Sequence, residues 1–378
     1  MAFVGLGCDQ DRPALDDASR GLNRPPMRII RAEAVTGYDQ DGRPIYAELS
    51  EGALTPEVAR SGSLRLTFDR FLLPVRVIRQ SICVRPSLTS VADLGACQEP
   101  FQTFTEPAYD PARRQVVFRL SEGRRHLPGT AYRLTVFDPD EDVDETGFRA
   151  FDGATLDRAY VFDFTTQAEG GDERDELEPG RDAYCAAVDC FRGCDGDPAC
   201  AAGCRPLCVD DACFGDGDLI APRAPGGFPA LFESCNLPGC HRPGRDFVET
   251  TMGLDLSSLS GLEGAIGRVA HQTQTGAGAD EPTVNPDPFG RRMPLIDPGN
   301  PGNSYLLYKL ILSPENHVEP PPEAEVRRLR AAAVPGLPMP ASITGPGGGM
   351  VAGDVEASQL QLDRLSAWIA NGAVIRCP

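Results

Sequence analysis

Between Cys185 and Cys213 the chain reads CAAVDCFRGCDGDPACAAGCRPLCVDDAC, which gathers seven of its thirteen cysteines into one short segment. Thiols are kept reduced in the cytosol and are seldom crowded this way there, so the segment predicts an extracytoplasmic, oxidising location, periplasmic or on the outer cell surface. A reduced zinc module is the alternative for such a run, but this one holds no histidine and its acids stand between the thiols. Cys190 and Cys194 are four apart, as are Cys200 and Cys204, which sets each pair on one face of a helical turn. The DGDPA between them reads as the turn of an αα-hairpin. Antiparallel helices would then bring together Cys194 with Cys200, Cys190 with Cys204 and Cys185 with Cys208, three nested disulfides of about 2–4 kcal/mol each. Cys213 is left over.

A chain of 378 residues exceeds what one hydrophobic core organises and predicts two or three domains. Its net charge of −19 repels nucleic-acid phosphates and anionic headgroups, so no nucleic-acid partner is expected. Lys309 is the only lysine beside many arginines, and it is given no functional weight. No run of 18 apolar residues is present to span a bilayer. Near the start, Leu6, Gly7 and Cys8 resemble the end of a bacterial lipoprotein leader, although Gly5 departs from the usual aliphatic residue; lipidation of Cys8, and membrane attachment only through that anchor, is the expectation.

From Pro25 to Thr166 short β-prone runs alternate with turn residues: SLRLTFDRF, RVIRQSICVRP, RQVVFRL, TAYRLTVFD and RAYVFDFTT. Alternation in YRLTVFD and YVFDFTT has the period of strands buried on one face, and predicts an antiparallel sandwich. The order of these runs resembles bacterial Ig-like domains of the surface-layer type, which implies a spacer or presentation module. Within it Cys83 and Cys97 are expected to pair, and His126, in EGRRHLPGT, is read as a solvated loop residue. The acidic QAEGGDERDELEPGRD that follows has almost no large apolar group and reads as a linker.

The segment ESCNLPGCHRPG places Cys235, Cys240 and His241 as C-x4-C-H. Two thiols and an adjacent imidazole are what covalent haem attachment uses, at a usual spacing of C-x-x-C-H. Three readings stay open on these residues: covalent haem, a haem-free domain in which Cys235 and Cys240 are oxidised or paired elsewhere, and zinc held by Cys213, Cys235, Cys240 and His241. GLDLSS, DPGNPGNSYLLYKL, GLPMPASI and LSAWIANGA then follow in that order. The series resembles the c-type cytochrome domains of planctomycetes and myxobacteria, departing from them in the x4 spacing and in long Pro/Gly-rich inserts. The resemblance implies an all-α C-terminal domain carrying one covalently attached haem c, with His241 as proximal and Met339 as distal ligand. With Cys235 and Cys240 taken by haem, Cys213 and Cys377 remain as a pair by elimination.

Leu362, Leu365, Trp368 and Ile369 fall at helical spacing, one apolar stripe fit either for ordinary core or for a porphyrin edge. Four methionines compete for the distal role. Met252 lies too near His241 in sequence, Met293 precedes DPGNPGNS where the resembling domains approach a helix, and Met350 follows three glycines whose ordering is costly. Met339 stands between Pro338 and Pro340, which stiffen the backbone around its sulfur. His271 and His317 sit in insert or loop sequence and are read as exposed. No paired-carboxylate, nucleophile-elbow or phosphate-loop pattern stands out, and GPGGGM lacks the Lys and Ser/Thr of a nucleotide loop. A six-coordinate iron offers no substrate position, so the expected function is single-electron transfer to a redox partner with a basic docking surface, not catalysis.

The expected architecture is therefore multidomain: a leader and linker at 1–24, an all-β Ig-like sandwich at 25–167, an acidic linker at 168–183, a disulfide-stapled helical hairpin at 184–214 and an all-α cytochrome c-like domain at 215–378. A structural or adhesive envelope protein that no longer binds haem is the rival reading.

Overall fold

The computed structural model describes residues 24–39, 44–86, 97, 105–121, 123–138, 147–169, 254, 259–270, 290, 292–312, 317, 319–334, 341–343, 350–352, 359–370 and 372–373. They divide between two units, one N-terminal and one C-terminal.

Among the described residues the N-terminal unit holds nine strands: β1 (Ile29–Tyr38), β2 (Pro44–Glu48), β3 (Leu54–Val58), β4 (Leu64–Phe68), β5 (Ile82–Arg85), β6 (Thr105–Asp110), β7 (Gln115–Leu120), β8 (Ala131–Val136) and β9 (Tyr160–Thr166). One sheet runs β2-β1-β4-β7-β6 and the other β3-β9-β8-β5. Every pairing is antiparallel except β3 with β9, which is parallel. The inward faces of both sheets share one core. β8 contributes Tyr132, Leu134 and Val136, β9 contributes Tyr160, Phe162 and Phe164, and the first sheet contributes Ala34, Leu64, Leu66, Val116 and Phe118. Each large side chain removed from water in this way stabilises the fold by about 1.5–3 kcal/mol. The alternate residues point outward, and there Arg133 clasps Asp163 through Nε at 2.7 Å and Nη2 at 2.8 Å, the two-pronged geometry that suits guanidinium and carboxylate. Phe148, between β8 and β9, closes the interior against Phe68 and Phe118, with ring centroids 4.9 and 6.2 Å apart.

Two local details depart from the strand pattern of the sequence. RVIRQS does not extend β5; it folds into 3-10 turns at Pro74–Arg76 and Arg79–Ser81. Ser81 holds the second turn, its hydroxyl donating to the Arg76 carbonyl at 3.0 Å and accepting from the Ile78 amide at 3.3 Å, a local bond that competes with the sheet ladder. Between β3 and β4 the backbone passes so close to β1 that a Cβ on Gly62 would lie 2.6 Å from the Val35 carbonyl oxygen and 3.0 Å from that of Ala59. Both oxygens already accept, from the Ala59 and Gly62 amides respectively, so neither can withdraw without losing a bond. Gly62→Ala is expected to cost about 1–3 kcal/mol through this overlap, read as a lowered urea midpoint at unchanged slope.

The C-terminal unit contains α1 (Leu259–Glu263), α2 (Tyr305–Ile311), α3 (Glu323–Ala332), α4 (Gln359–Ala370) and a hairpin of β10 (Ala341–Ile343) and β11 (Met350–Ala352). DPGNPGNS folds as a clasped turn ahead of α2. Asn303 donates to Asp297 Oδ2 at 2.7 Å, Ser304 Oγ accepts from the Asp297 amide at 2.9 Å and donates to the Asn300 carbonyl at 3.1 Å. Gly299, at φ +86, donates its amide to Ile369 of α4 at 2.8 Å and so ties the turn to that helix. All seven residues of α2 are buried, Lys309 among them. Leu362, Leu365, Trp368 and Ile369 of α4 are each at most 1 % exposed, which answers the choice left open by the sequence: this stripe is packed core.

The expectation of an all-α C-terminal domain is overturned. Among the described residues 35 % are strand and 22 % helical, and the C-terminal unit itself holds the β10–β11 hairpin together with bridges Ile266 to Ile296 and Val269 to Pro294. The physical reason lies in PASITGPGGGMVAG, where two short apolar runs flank a Gly/Pro-rich turn. That is the pattern of a hairpin, and its glycines disfavour a helix by about 1 kcal/mol each. Met350, expected in a glycine loop, instead pairs with Ile343.

Candidate functional site

The residues expected to carry the chemistry, Cys235, Cys240, His241 and Met339, lie outside the described residues. So do Cys8, the six cysteines of the expected ladder (Cys185, Cys190, Cys194, Cys200, Cys204 and Cys208), Cys213, Cys377, Met252 and His271. Cys83 and Cys97 are described and form a disulfide, with Cα atoms 5.8 Å apart. Both are buried: Cys83 lies on β5, and Cys97 comes from the connection that leads to β6.

Two of the other donors that the sequence offered are among the described residues. His317 meets the Ile311 carbonyl through Nε2 at 2.8 Å and is half-buried at the end of α2, not exposed as the sequence reading had it. Met293, the strongest competitor for a distal role, is 2 % exposed, and its carbonyl accepts the Ala270 amide at 2.8 Å. Neighbouring Pro294 and Leu295 accept the first two amides of the α2 segment, from Tyr305 and Leu306 at 2.9 Å each, so Met293 is the edge of a backbone brace. Among the described residues no three of His, Cys, Asp and Glu come together as a metal cluster. The donor set left by the sequence, two thiols, one imidazole and one thioether, matches in kind the bonds that protein makes to haem c.

His126 corrects the sequence reading most plainly. Expected in solvent, it is 2 % exposed, with its ring edge-on to Tyr132 at 5.0 Å and to Phe164 at 5.8 Å between centroids. Burial pushes its pKa down from 6.5 to about 4, with the Gly62 backbone opposing in part. Local pattern could not reveal this, because HLPGT carries every mark of a turn. The available signal was topological: the connection from β7 to β8 has to cross one open end of the core.

Two further clusters were not read from the sequence. Arg70 is 3 % exposed in its side chain and donates to Asp152 Oδ2 at 2.6 Å and to the Pro25 carbonyl at 2.7 Å. Arg65 stands 3.5 Å over the Tyr46 ring while bonding Glu33 at 2.8 Å. Each ties distant strands or loops, and neither faces a group that would make it reactive. No family model matches the chain, and neither does any curated protein.

Proposed function

We propose that the chain is an extracytoplasmic mono-haem c-type cytochrome that passes single electrons, with the β-sandwich unit as spacer. The observation that carries this reading is C-x4-C-H followed in order by DPGNPGNSYLLYKL, Met339-Pro340 and the Trp368 helix. Supporting it, the first and last of those later motifs pack on one another through Gly299 and Ile369. Cys235 and Cys240 would supply the two thioether sulfurs, His241 the proximal nitrogen and Met339 the distal sulfur. The haem, when bound, supplies a one-electron couple. The chain's own part would be to supply the imidazole and the thioether and to exclude water around them, which would tune the potential. The Cys83–Cys97 disulfide agrees with an oxidising compartment. The net charge of −19 favours a redox partner with a basic docking surface and disfavours nucleic acid. Anchorage through a lipid on Cys8 belongs to the same reading.

The test is the protein made in a host with a cytochrome c maturation system. Haem mass on the peptide that contains Cys235 and Cys240, surviving acid-acetone extraction, is the expected result. Cys240→Ala should leave a single thioether, His241→Ala should abolish the low-spin spectrum, and Met339→Ala should remove the sulfur-to-iron band and lower the potential. Wild-type protein from that host without haem on the peptide sinks the proposal and leaves a structural envelope protein.

A further inference from the structure

One end of the sandwich is closed by the connection between β7 and β8, residues 121–130. The His126 amide donates to the Arg60 carbonyl at 2.7 Å and its own carbonyl accepts from Arg60 Nε at 3.3 Å, which fastens the connection to the turn between β3 and β4. The Leu127 amide donates to the Tyr132 hydroxyl at 2.8 Å, and the Thr166 hydroxyl donates to the Leu127 carbonyl. The Gly129 amide donates to Gln167 at 2.9 Å and the Thr130 amide to Thr166 Oγ1 at 3.0 Å. Leu127 itself is 56 % exposed; besides these bonds the connection is held by the Ser121 hydroxyl, which donates to Glu106 of β6 at 3.1 Å, and by one inserted ring, that of His126. Thr166 is the last residue of β9, and Gln167 follows it.

We propose that His126 is an acid-sensitive plug, and that its protonation releases the β7–β8 connection and with it the end of β9. An imidazolium driven between Tyr132 and Phe164 would lose its hydration in a site walled by aromatic carbon. The charged and titratable groups around it give little relief. The turn between β3 and β4 offers Arg60 and the Gly62 backbone, which favours the charged ring in part; β8 offers Tyr132 with its hydroxyl already held by Leu127; β9 offers Phe164; and the connection itself carries Arg124, Arg125 and Glu122, the last outside the described residues. No carboxylate contributes to the position of its pKa, which burial lowers to about 4. The sign follows: the folded sandwich favours neutral imidazole, so this stabilisation is complete above pH 6.5 and drains away as pH falls from 6.5 towards 4.

The test is hydrogen exchange by mass spectrometry on the full chain at pH 7 and pH 4, each corrected for intrinsic rates. Peptides spanning 121–136 and 160–167 should exchange about a hundredfold faster at pH 4, while those from β1 and β4 change far less. In His126→Phe, which keeps a neutral ring, the difference should vanish. An equal rise across all strands, or the same local rise in His126→Phe, overturns the proposal. Should that variant not fold, the wild type still decides through exchange at the imidazole C2 position of the His126 peptide. A midpoint near 4 supports the plug, and one at or above 6.5 overturns it.

Discussion

Replacing Asp152 by Ala is expected to lower the unfolding free energy of the sandwich unit by about 3–5 kcal/mol, among the largest effects of any single change in this chain. Arg70 would then be left as a charge that is 3 % exposed and has lost its carboxylate, with the Pro25 carbonyl at 2.7 Å and the Phe151 ring at 5.7 Å among its remaining neighbours. Desolvation of a guanidinium that no longer faces a carboxylate is what costs; the loss of the pair's attraction is the smaller part. The double variant Arg70→Met with Asp152→Ala is therefore expected to be more stable than Asp152→Ala alone. The exposed pair of Arg158 and Glu51, with side chains 53 % and 39 % exposed, is the control: Glu51→Ala should cost no more than about 1 kcal/mol. Urea midpoints of the four proteins measure all of this, and a double variant as weak as Asp152→Ala would refute the charge argument.

Trp368→Ala is expected to cost about 3–5 kcal/mol in the C-terminal unit alone. The ring is 1 % exposed on a helix that packs against α2, every residue of which is buried. Removing it leaves a cavity that cannot collapse easily, because Gly299 bonds α4 to the clasped turn before α2. Since Trp368 is the only tryptophan, its emission in the wild type reports this unit and no other, and a blue-shifted maximum that moves red on unfolding is the expected baseline. In the variant, circular dichroism against urea should show the sandwich transition unmoved and a second transition displaced to lower denaturant. A single transition shifted as a whole would mean that the units unfold together.

The sandwich was legible where side chains alternate cleanly. Tyr132-Leu134-Val136 and Tyr160-Phe162-Phe164 state which face is core, because a strand buried on one side admits one pattern only. β1 was harder to see, although it is the longest strand: its bulge between Val35 and Gly37 breaks the period halfway. β3 hides for another reason. Pro56 argues against a strand, and its parallel partner β9 lies about a hundred residues away, a pairing that no local pattern encodes. In the C-terminal unit the Trp368 stripe was readable from helical spacing and the helix after DPGNPGNS was implied by the resemblance, whereas the β10–β11 hairpin was lost among prolines and glycines. His126 was read as solvated because burial at the end of a sandwich depends on which connection crosses that end. The chemistry of Cys235, Cys240, His241 and Met339 was read from residue type and order alone, and those residues lie outside the described part of the chain.

Lys309, set aside at the level of sequence, gives the molecule an unusual handle. It is 8 % exposed on α2, with its ammonium 6.0 Å from the centre of the Tyr305 ring. A chain whose only ε-amine is covered offers amine-directed reagents nothing on its folded surface except an α-amine. Acylation at Lys309 therefore becomes a clock for opening of the C-terminal unit: succinimidyl esters should label it at the rate at which α2 comes free, and lysine-specific proteases should cut there only after that event. For the same reason, amine cross-linkers will fail to join the folded chain to a partner through a lysine of its own, and carboxylate-directed chemistry is the route to capture.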